Sequence, residues 1–157
     1  MKITLLLVGK TEEGFVKEAC DLYEKRLKHY ILPAVTVIPD IKNGGKLSQA
    51  DLKLKEGELL MKQISKSDFV VLLDDKGKQF SSKEFASYLQ LQMNSGLKNL
   101  CFIIGGAFGF SDEIYERANA KLSLSKMTFT HQMARMLFLE QTYRALTILK
   151  GESYHHE

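Results

Sequence analysis

Three features of the sequence predict an α/β fold with a parallel sheet, as one domain over residues 1–157. Strand-like and helix-like segments alternate along the whole chain. Strands separated by single helices must pair in parallel, with helices covering both faces. Two short runs, residues 69–73 and 100–104, are apolar without interruption, as expected of strands buried on both sides. The length, 157 residues, suits a single core, which commonly forms at about 100–200 residues.

Residues 2–9 open the chain as a β-rich apolar strand. Residues 11–30 then set Phe15, Ala19, Leu22, Tyr23 and Leu27 at helical spacing with charged residues between them. A strand over 33–39 is bracketed by the only two prolines, and 42–48 is a largely polar loop containing Gly44-Gly45. The charged helix at 48–65 carries Leu52, Leu59, Leu60 and Ile64. After the strand at 69–73, between Asp68 and Asp74, Ser81 and Glu84 have capping-box spacing and open a helix that ends near Gly96. The strand at 100–104 is followed by Gly-Gly-Ala-Phe-Gly, a short helix starting at Ser111-Asp112, and a fifth strand at 120–125. A long last helix spans about residues 131–150, leaving a tail that ends Tyr154-His155-His156-Glu157.

Composition narrows the class further. Hydrophobic residues make up 45% and charged residues 26%, the balance of a soluble globule and not of a disordered tail. Cys20 and Cys101 are far apart, with no C-x-x-C and no zinc-finger spacing, which argues against disulfide scaffolds and structural zinc sites and for a reducing cytoplasm. The first apolar run stops at Gly9-Lys10 without a small-residue cleavage site, so it reads as a buried strand and not as a signal peptide. No stretch approaches the roughly 18–20 apolar residues that cross a bilayer. A net charge of +3 permits a nucleic-acid partner without demanding one.

The final third holds the candidate chemistry. Gly105-Gly106-Ala107-Phe108-Gly109 follows a strand, where glycines allow either close backbone approach to a ligand or a plain tight turn. Its spacing is neither the dinucleotide fingerprint nor a Walker loop. Residues 122–131 run from a strand through a polar loop into a helix, offering free backbone groups or simply an ordinary connection. His131 and Arg135 stand four residues apart, as do Glu140 and Arg144, a spacing that serves a site or a surface ion pair. Tyr154-His155-His156 is a frayed end, or an arm that stacks a base and moves a proton.

Taken together, these segments resemble one family over essentially the whole chain. The matching residues are Met1-Lys2-Ile3-Thr4, Tyr23-Glu24-Lys25-Arg26-Leu27, Lys55-Glu56-Gly57-Glu58, Leu73-Asp74 before Gly77-Lys78, and Ile104-Gly105-Gly106. The last third adds residues 122–128, His131, Arg135, Glu140, Tyr143-Arg144-Ala145 and Tyr154-His155. The sequence is similar to the large-subunit ribosomal RNA methyltransferase H family, small SPOUT-class enzymes that methylate N3 of a pseudouridine in 23S rRNA. It departs from the family pattern at Thr130, where relatives usually carry Pro, and at His156, where Lys or Arg commonly follows Tyr-His.

The resemblance implies a parallel-sheet SPOUT fold with a C-terminal trefoil knot, a topology that no pattern argument would propose. It also implies S-adenosyl-L-methionine as cofactor, a homodimer, and 23S rRNA within the ribosome as substrate. By motif, the cofactor falls to Leu73, Gly105, Gly106, Leu124, Ser125, Lys126, Met127, Thr128 and Phe129. Catalysis and substrate handling fall to His131, Arg135, Glu140, Arg144, Tyr154 and His155, with Glu140 and His155 as candidates to take the N3 proton. A sulfonium methyl carbon is already electrophilic, so the reaction requires no metal. Two other readings stand beside this one: a flavodoxin-like nucleotide binder and a non-catalytic ribosome-associated factor.

Overall fold

The structure is a computed structural model that describes residues 1–154. Five strands, β1 (Lys2–Val8), β2 (Ala34–Ile38), β3 (Phe69–Gln79), β4 (Asn99–Ile104) and β5 (Ala120–Ser123), form one sheet in the order β2-β1-β4-β3-β5. Every pairing is parallel. Between and after them come α1 (Gly14–Leu27), α2 (Gln49–Gln63), α3 (Ser82–Asn94), α4 (Asp112–Arg117) and α5 (His131–Leu149). Among the described residues no helix is long and apolar enough to cross a membrane.

The period-two alternation of strand side chains divides the core. Ile3, Leu5 and Leu7 of β1, Val71 of β3, and Leu100, Phe102 and Ile104 of β4 face α1, α3 and α5. Leu6, Val8, Val70, Leu72, Cys101 and Ile103 face the other way, toward α2 and α4. Both faces of β1 and β4 are thus covered, which is why their sequences are apolar without alternation. Across the first layer the ring of Phe102 lies 4.7 Å from that of Phe138 and 6.3 Å from that of Phe85, tying α5 and α3 to the sheet.

Helix ends follow local chemistry. The Ser81 side chain accepts from Glu84 N at 3.2 Å while Ser81 N donates to the Glu84 carboxylate at 2.6 Å, a complete capping box. Thr130 caps α5 by accepting from Met133 N at 3.2 Å. The residue that departs from the family's proline therefore starts the helix through its hydroxyl.

Several local expectations shift. In α1 the buried stripe is Val16, Cys20 and Leu27, whereas Phe15 and Leu22 are exposed. The helix turns this stripe into the apolar layer that the sheet shares with α5. β3 does not stop before Asp74: it bulges there and resumes pairing, so that Leu122 of β5 is opposite both Leu73 and Lys78. A bulge admits polar residues into a strand that the apolar pattern had cut short. β5 ends at Ser123, two residues earlier than expected, because the chain turns away to form a loop.

Candidate active site

The carboxyl ends of β4, β3 and β5 are adjacent, and the loops leaving them enclose a cleft of about 920 Å³. In parallel sheets this is the end at which ligands bind. Leu73 comes from β3, Gly105 and Gly106 from the turn after β4, and Leu124, Ser125, Met127, Thr128 and Phe129 from the loop after β5. Lys126 lies in the same loop but does not line the cleft, and its side chain is exposed. The loop is shaped internally: Ser123 Oγ donates to Ser125 O at 2.7 Å, and Met127 N donates to Ser125 Oγ at 3.0 Å. Exposed Phe108, Met127 and Phe129 are among its wall residues.

The two glycines answer to what lies behind them as well as to the cleft. A Cβ on Gly106 would sit 2.8 Å from both carboxylate oxygens of Glu56, and one on Gly105 would sit 3.0 Å from the Phe110 ring. Glu56 is buried, and burial, reinforced by Asp40, pushes its carboxyl above the usual range. The bulge of β3 supplies Asp74, Asp75 and Lys76 to the cleft wall. Asp74 accepts from Lys76 N at 2.8 Å and from the Tyr115 hydroxyl. Burial and this carboxylate together raise the Tyr115 phenol well above its ordinary value.

His131 opens α5 on the cleft wall, and burial together with neighbouring Arg135 lowers its pKa. Arg135, one turn on, is 1% exposed. Its Nη2 donates to Val8 O at 2.5 Å and its Nη1 to Thr11 Oγ1 at 2.9 Å. Gln132 continues this clamp, donating to Lys10 O at 2.9 Å and accepting from Glu12 N at 3.2 Å. Arg135 thus fastens the start of α5 to the β1–α1 connection and faces away from solvent.

Glu140, Arg144 and Tyr154 form a separate cluster. Arg144 donates from Nε and Nη2 to Glu140 Oε1 at 3.0 and 2.5 Å, and the Tyr154 hydroxyl reaches the same oxygen at 3.3 Å. Gln141 Nε2 donates to the other carboxylate oxygen at 2.7 Å. The Arg144 guanidinium lies 4.8 Å from the Tyr154 ring centroid, and Tyr143 packs edge-on against that ring at 4.7 Å. Burial, then hydrogen bonding to Tyr23, raises the Tyr154 phenol above its usual value. At 1.5 Å per residue, Glu140 and Arg144 lie about 13 and 20 Å along α5 from His131. Within one chain, the cleft and the tail cluster sit toward opposite ends of the helix. His155 lies outside the described residues.

Residues 1–155 match the family described as "Predicted SPOUT methyltransferase". The chain belongs to the SPOUT methyltransferase family. Relatives named ribosomal RNA large subunit methyltransferase H are similar from end to end. One from Parabacteroides distasonis is 53% identical over 157 residues, covering 100% of both chains. Another, from Christiangramia forsetii, is 53% identical over 156 residues and covers 99% of each. A solved structure described as a probable methylase family protein from Haemophilus influenzae has a TM-score of 0.54 at 14% identity, covering 95% of this chain and 66% of that one. That likeness concerns the fold alone.

Membership of the SPOUT family leaves the flavodoxin-like reading without support. Among the described residues, no three or more His, Cys, Asp or Glu side chains gather as metal ligands would. The sequence reading missed Tyr23, Arg26 and Tyr143 as members of the tail cluster, along with Glu56 and the Asp74–Tyr115 pair at the cleft. Tyr23 and Arg26 are three apart on α1, which is a signal of a shared face. Only the tertiary structure brings that face against α5.

Proposed function

We propose that the chain is an S-adenosylmethionine-dependent methyltransferase that methylates N3 of a pseudouridine in 23S rRNA, as a homodimer in the cytoplasm. The observation that carries this reading is end-to-end identity of 53% with proteins named ribosomal RNA large subunit methyltransferase H. The trefoil knot belongs to the same reading. It is supported by loops that the chain visits in the order β3, β4, β5 but that stand in space as β4-β3-β5.

The cleft suits the cofactor. Its 920 Å³ is within the range of about 300–1,000 Å³ typical of small-molecule sites, and its wall combines apolar side chains with polar and charged ones. Leu73, Leu124, Met127 and Phe129 offer surface to an adenosyl group, and the backbone around Gly105 and Ser125 offers hydrogen-bonding atoms. Carboxylates of Asp74, Asp75 and Glu13 line the same space and suit a cationic ligand. When bound, S-adenosylmethionine supplies an electrophilic methyl carbon on a sulfonium.

The remaining work falls to the chain's own residues. Holding donor and nucleophile in line supplies much of the acceleration in such transfers. His131 lines the cleft, and burial and neighbouring Arg135 lower its pKa, which disfavours its charged form there. Glu140 orients Arg144 and Tyr154, and Tyr154 stacks on the base once it leaves its neighbours. Glu140 already accepts from Arg144, Gln141 and Tyr154, so the N3 proton is assigned to His155, next in the chain.

The homodimer reconciles the two ends of α5, because a second copy can bring its tail cluster to the first copy's cleft. An exposed apolar surface supports it. Val35 and Val37 on the edge strand β2 are exposed and, with Leu5, Leu7 and Leu139, line a groove of about 440 Å³. The deciding experiment is transfer of a labelled methyl group from S-adenosylmethionine to ribosomes from cells lacking the protein, with the modified nucleotide mapped. Label on the expected pseudouridine supports the reading. Ribosome binding without transfer would instead favour the non-catalytic factor.

A further inference from the structure

The segment Tyr23-Glu24-Lys25-Arg26-Leu27 of α1 has no part in the cleft, yet it builds half of the tail cluster. The Arg26 guanidinium lies 5.5 Å from the ring centroid of Tyr23, 5.6 Å from that of Tyr143 and 5.9 Å from that of Tyr154. Three rings from α1, α5 and the tail therefore surround one cation. Tyr23 and Tyr154 are joined hydroxyl to hydroxyl at 3.4 Å, and the Tyr23 and Tyr143 centroids are 6.2 Å apart.

The contrast with the neighbouring cations is chemical. Arg144 gives its N–H groups to Glu140, and Arg135 gives its own to Val8 O and Thr11. Among the described residues the Arg26 side chain makes ring contacts only, with no hydrogen bond and no ion pair to a carboxylate. The nearby acids are engaged elsewhere: Glu140 by Arg144, and Glu152 by the Tyr30 hydroxyl, whose pKa that hydrogen bond pushes up to about 12. Ring contact restrains a long side chain that would otherwise lose rotamer freedom on binding. It also leaves the N–H edge of the guanidinium uncommitted, and that fork matches the oxygens of a phosphate.

We infer that Arg26 docks a backbone phosphate of the RNA strand that presents the target base, and that Tyr23 and Tyr143 complete the aromatic seat beside it. An uncommitted arginine held among partly buried aromatic rings is chemistry suited to single-stranded RNA, since phosphates take the cation and the accessible ring edges can meet an unstacked base. The inference rests on the proposed rRNA substrate and adds the residues that grip it.

The test uses the full chain, with Arg26→Gln, Arg26→Lys and the exposed neighbour Lys25→Gln, in methyl transfer to ribosomes across about 50–200 mM salt. Arg26→Gln is expected to raise KM about tenfold with little change in kcat, the signature of a lost charge-assisted contact. Its salt dependence of kcat/KM should flatten by about 0.7 in log–log slope, as for one phosphate contact on a single strand. Arg26→Lys should keep the slope and recover part of KM, and Lys25→Gln should match wild type. Calorimetric titration with S-adenosylmethionine and sedimentation should be unchanged in all three. A wild-type KM and slope in Arg26→Gln, an equal effect in Lys25→Gln, or a weakened cofactor affinity or dimer would overturn the assignment. If the wild-type protein transfers no methyl group, the rRNA methyltransferase reading fails by itself. Binding of a labelled single-stranded rRNA fragment, compared between wild type and Arg26→Gln, then decides Arg26: equal affinity sinks it.

Discussion

Gly77→Ala drives a methyl group into the backbone of β5. Gly77 lies in the bulge of β3, and a Cβ there would meet Leu122 C at 2.5 Å, Leu122 N at 2.6 Å and Lys121 C at 2.7 Å. Carbon atoms in comfortable contact are about 3.5–4.0 Å apart, so β5 must retreat by about 1 Å. Those neighbours are main-chain atoms that cannot rotate aside. β5 is an edge strand of four residues that, among the described residues, pairs only with β3. Overpacking of this kind costs about 1–3 kcal/mol. In a domain of this size the midpoint of thermal unfolding should fall by about 2–12 °C. The loop at 124–130 leaves from β5, so affinity for S-adenosylmethionine should fall by at least about tenfold, roughly 1.4 kcal/mol. Circular dichroism melting and calorimetric titration read the two effects. Gly45→Ala, with nothing within 4 Å of its Cβ, is the control and should change neither. A Gly77→Ala protein with a wild-type melt and a wild-type titration would refute the account of how β3 positions the loop at 124–130.

Other expected outcomes follow the same logic. Truncation after Gly151 should abolish methyl transfer in the labelled-donor assay while leaving cofactor titration largely intact, because no described residue beyond α5 is among those that line the cleft. Arg135→Ala should destabilise the fold by about 2–4 kcal/mol in urea unfolding, since it leaves a cavity and strips Val8 O and Thr11 of a donor. Ser81→Ala should cost about 1 kcal/mol in the same assay by opening the capping box. For His131, the folded-state pKa lies below the ordinary value, so the unfolded chain binds its proton more readily. The stability it contributes is present above the ordinary value near 6.5 and is lost as pH falls through the lowered one. His131→Gln should therefore flatten the pH dependence of urea unfolding below about pH 6.5.

What the sequence determined by itself was the architecture and the strand ends. Uninterrupted apolar runs at 69–73 and 100–104 are what doubly covered strands require, and the alternation with helices implied parallel pairing. Once the strands were placed, Leu73, Gly105 and Ser125 fell at or near their carboxyl ends, and the cleft is there. Capping at Ser81 was equally readable, because it depends on residues three apart. The apolar face of α1 was not: Phe15 and Val16 are both apolar, and which one is buried depends on where α5 lies. The reach of β3 past Asp74 was hidden for a similar reason, because a bulge is set by the neighbouring strand.

Tertiary structure alone decided how the candidate site residues are shared out. His131, Arg135, Glu140 and Arg144 lie on one helix, and their spacing suggested a single site. In the fold they divide into a cleft wall, a buried clamp and a tail cluster, because each turn of α5 meets a different neighbour. The partners of that cluster, Tyr23 and Arg26, come from more than a hundred residues earlier in the chain. Sequence spacing reports which side chains share a face of one element. What that face meets is set by long-range packing, and that decides whether an arginine is buried under β1, paired with a glutamate, or left with its N–H edge open.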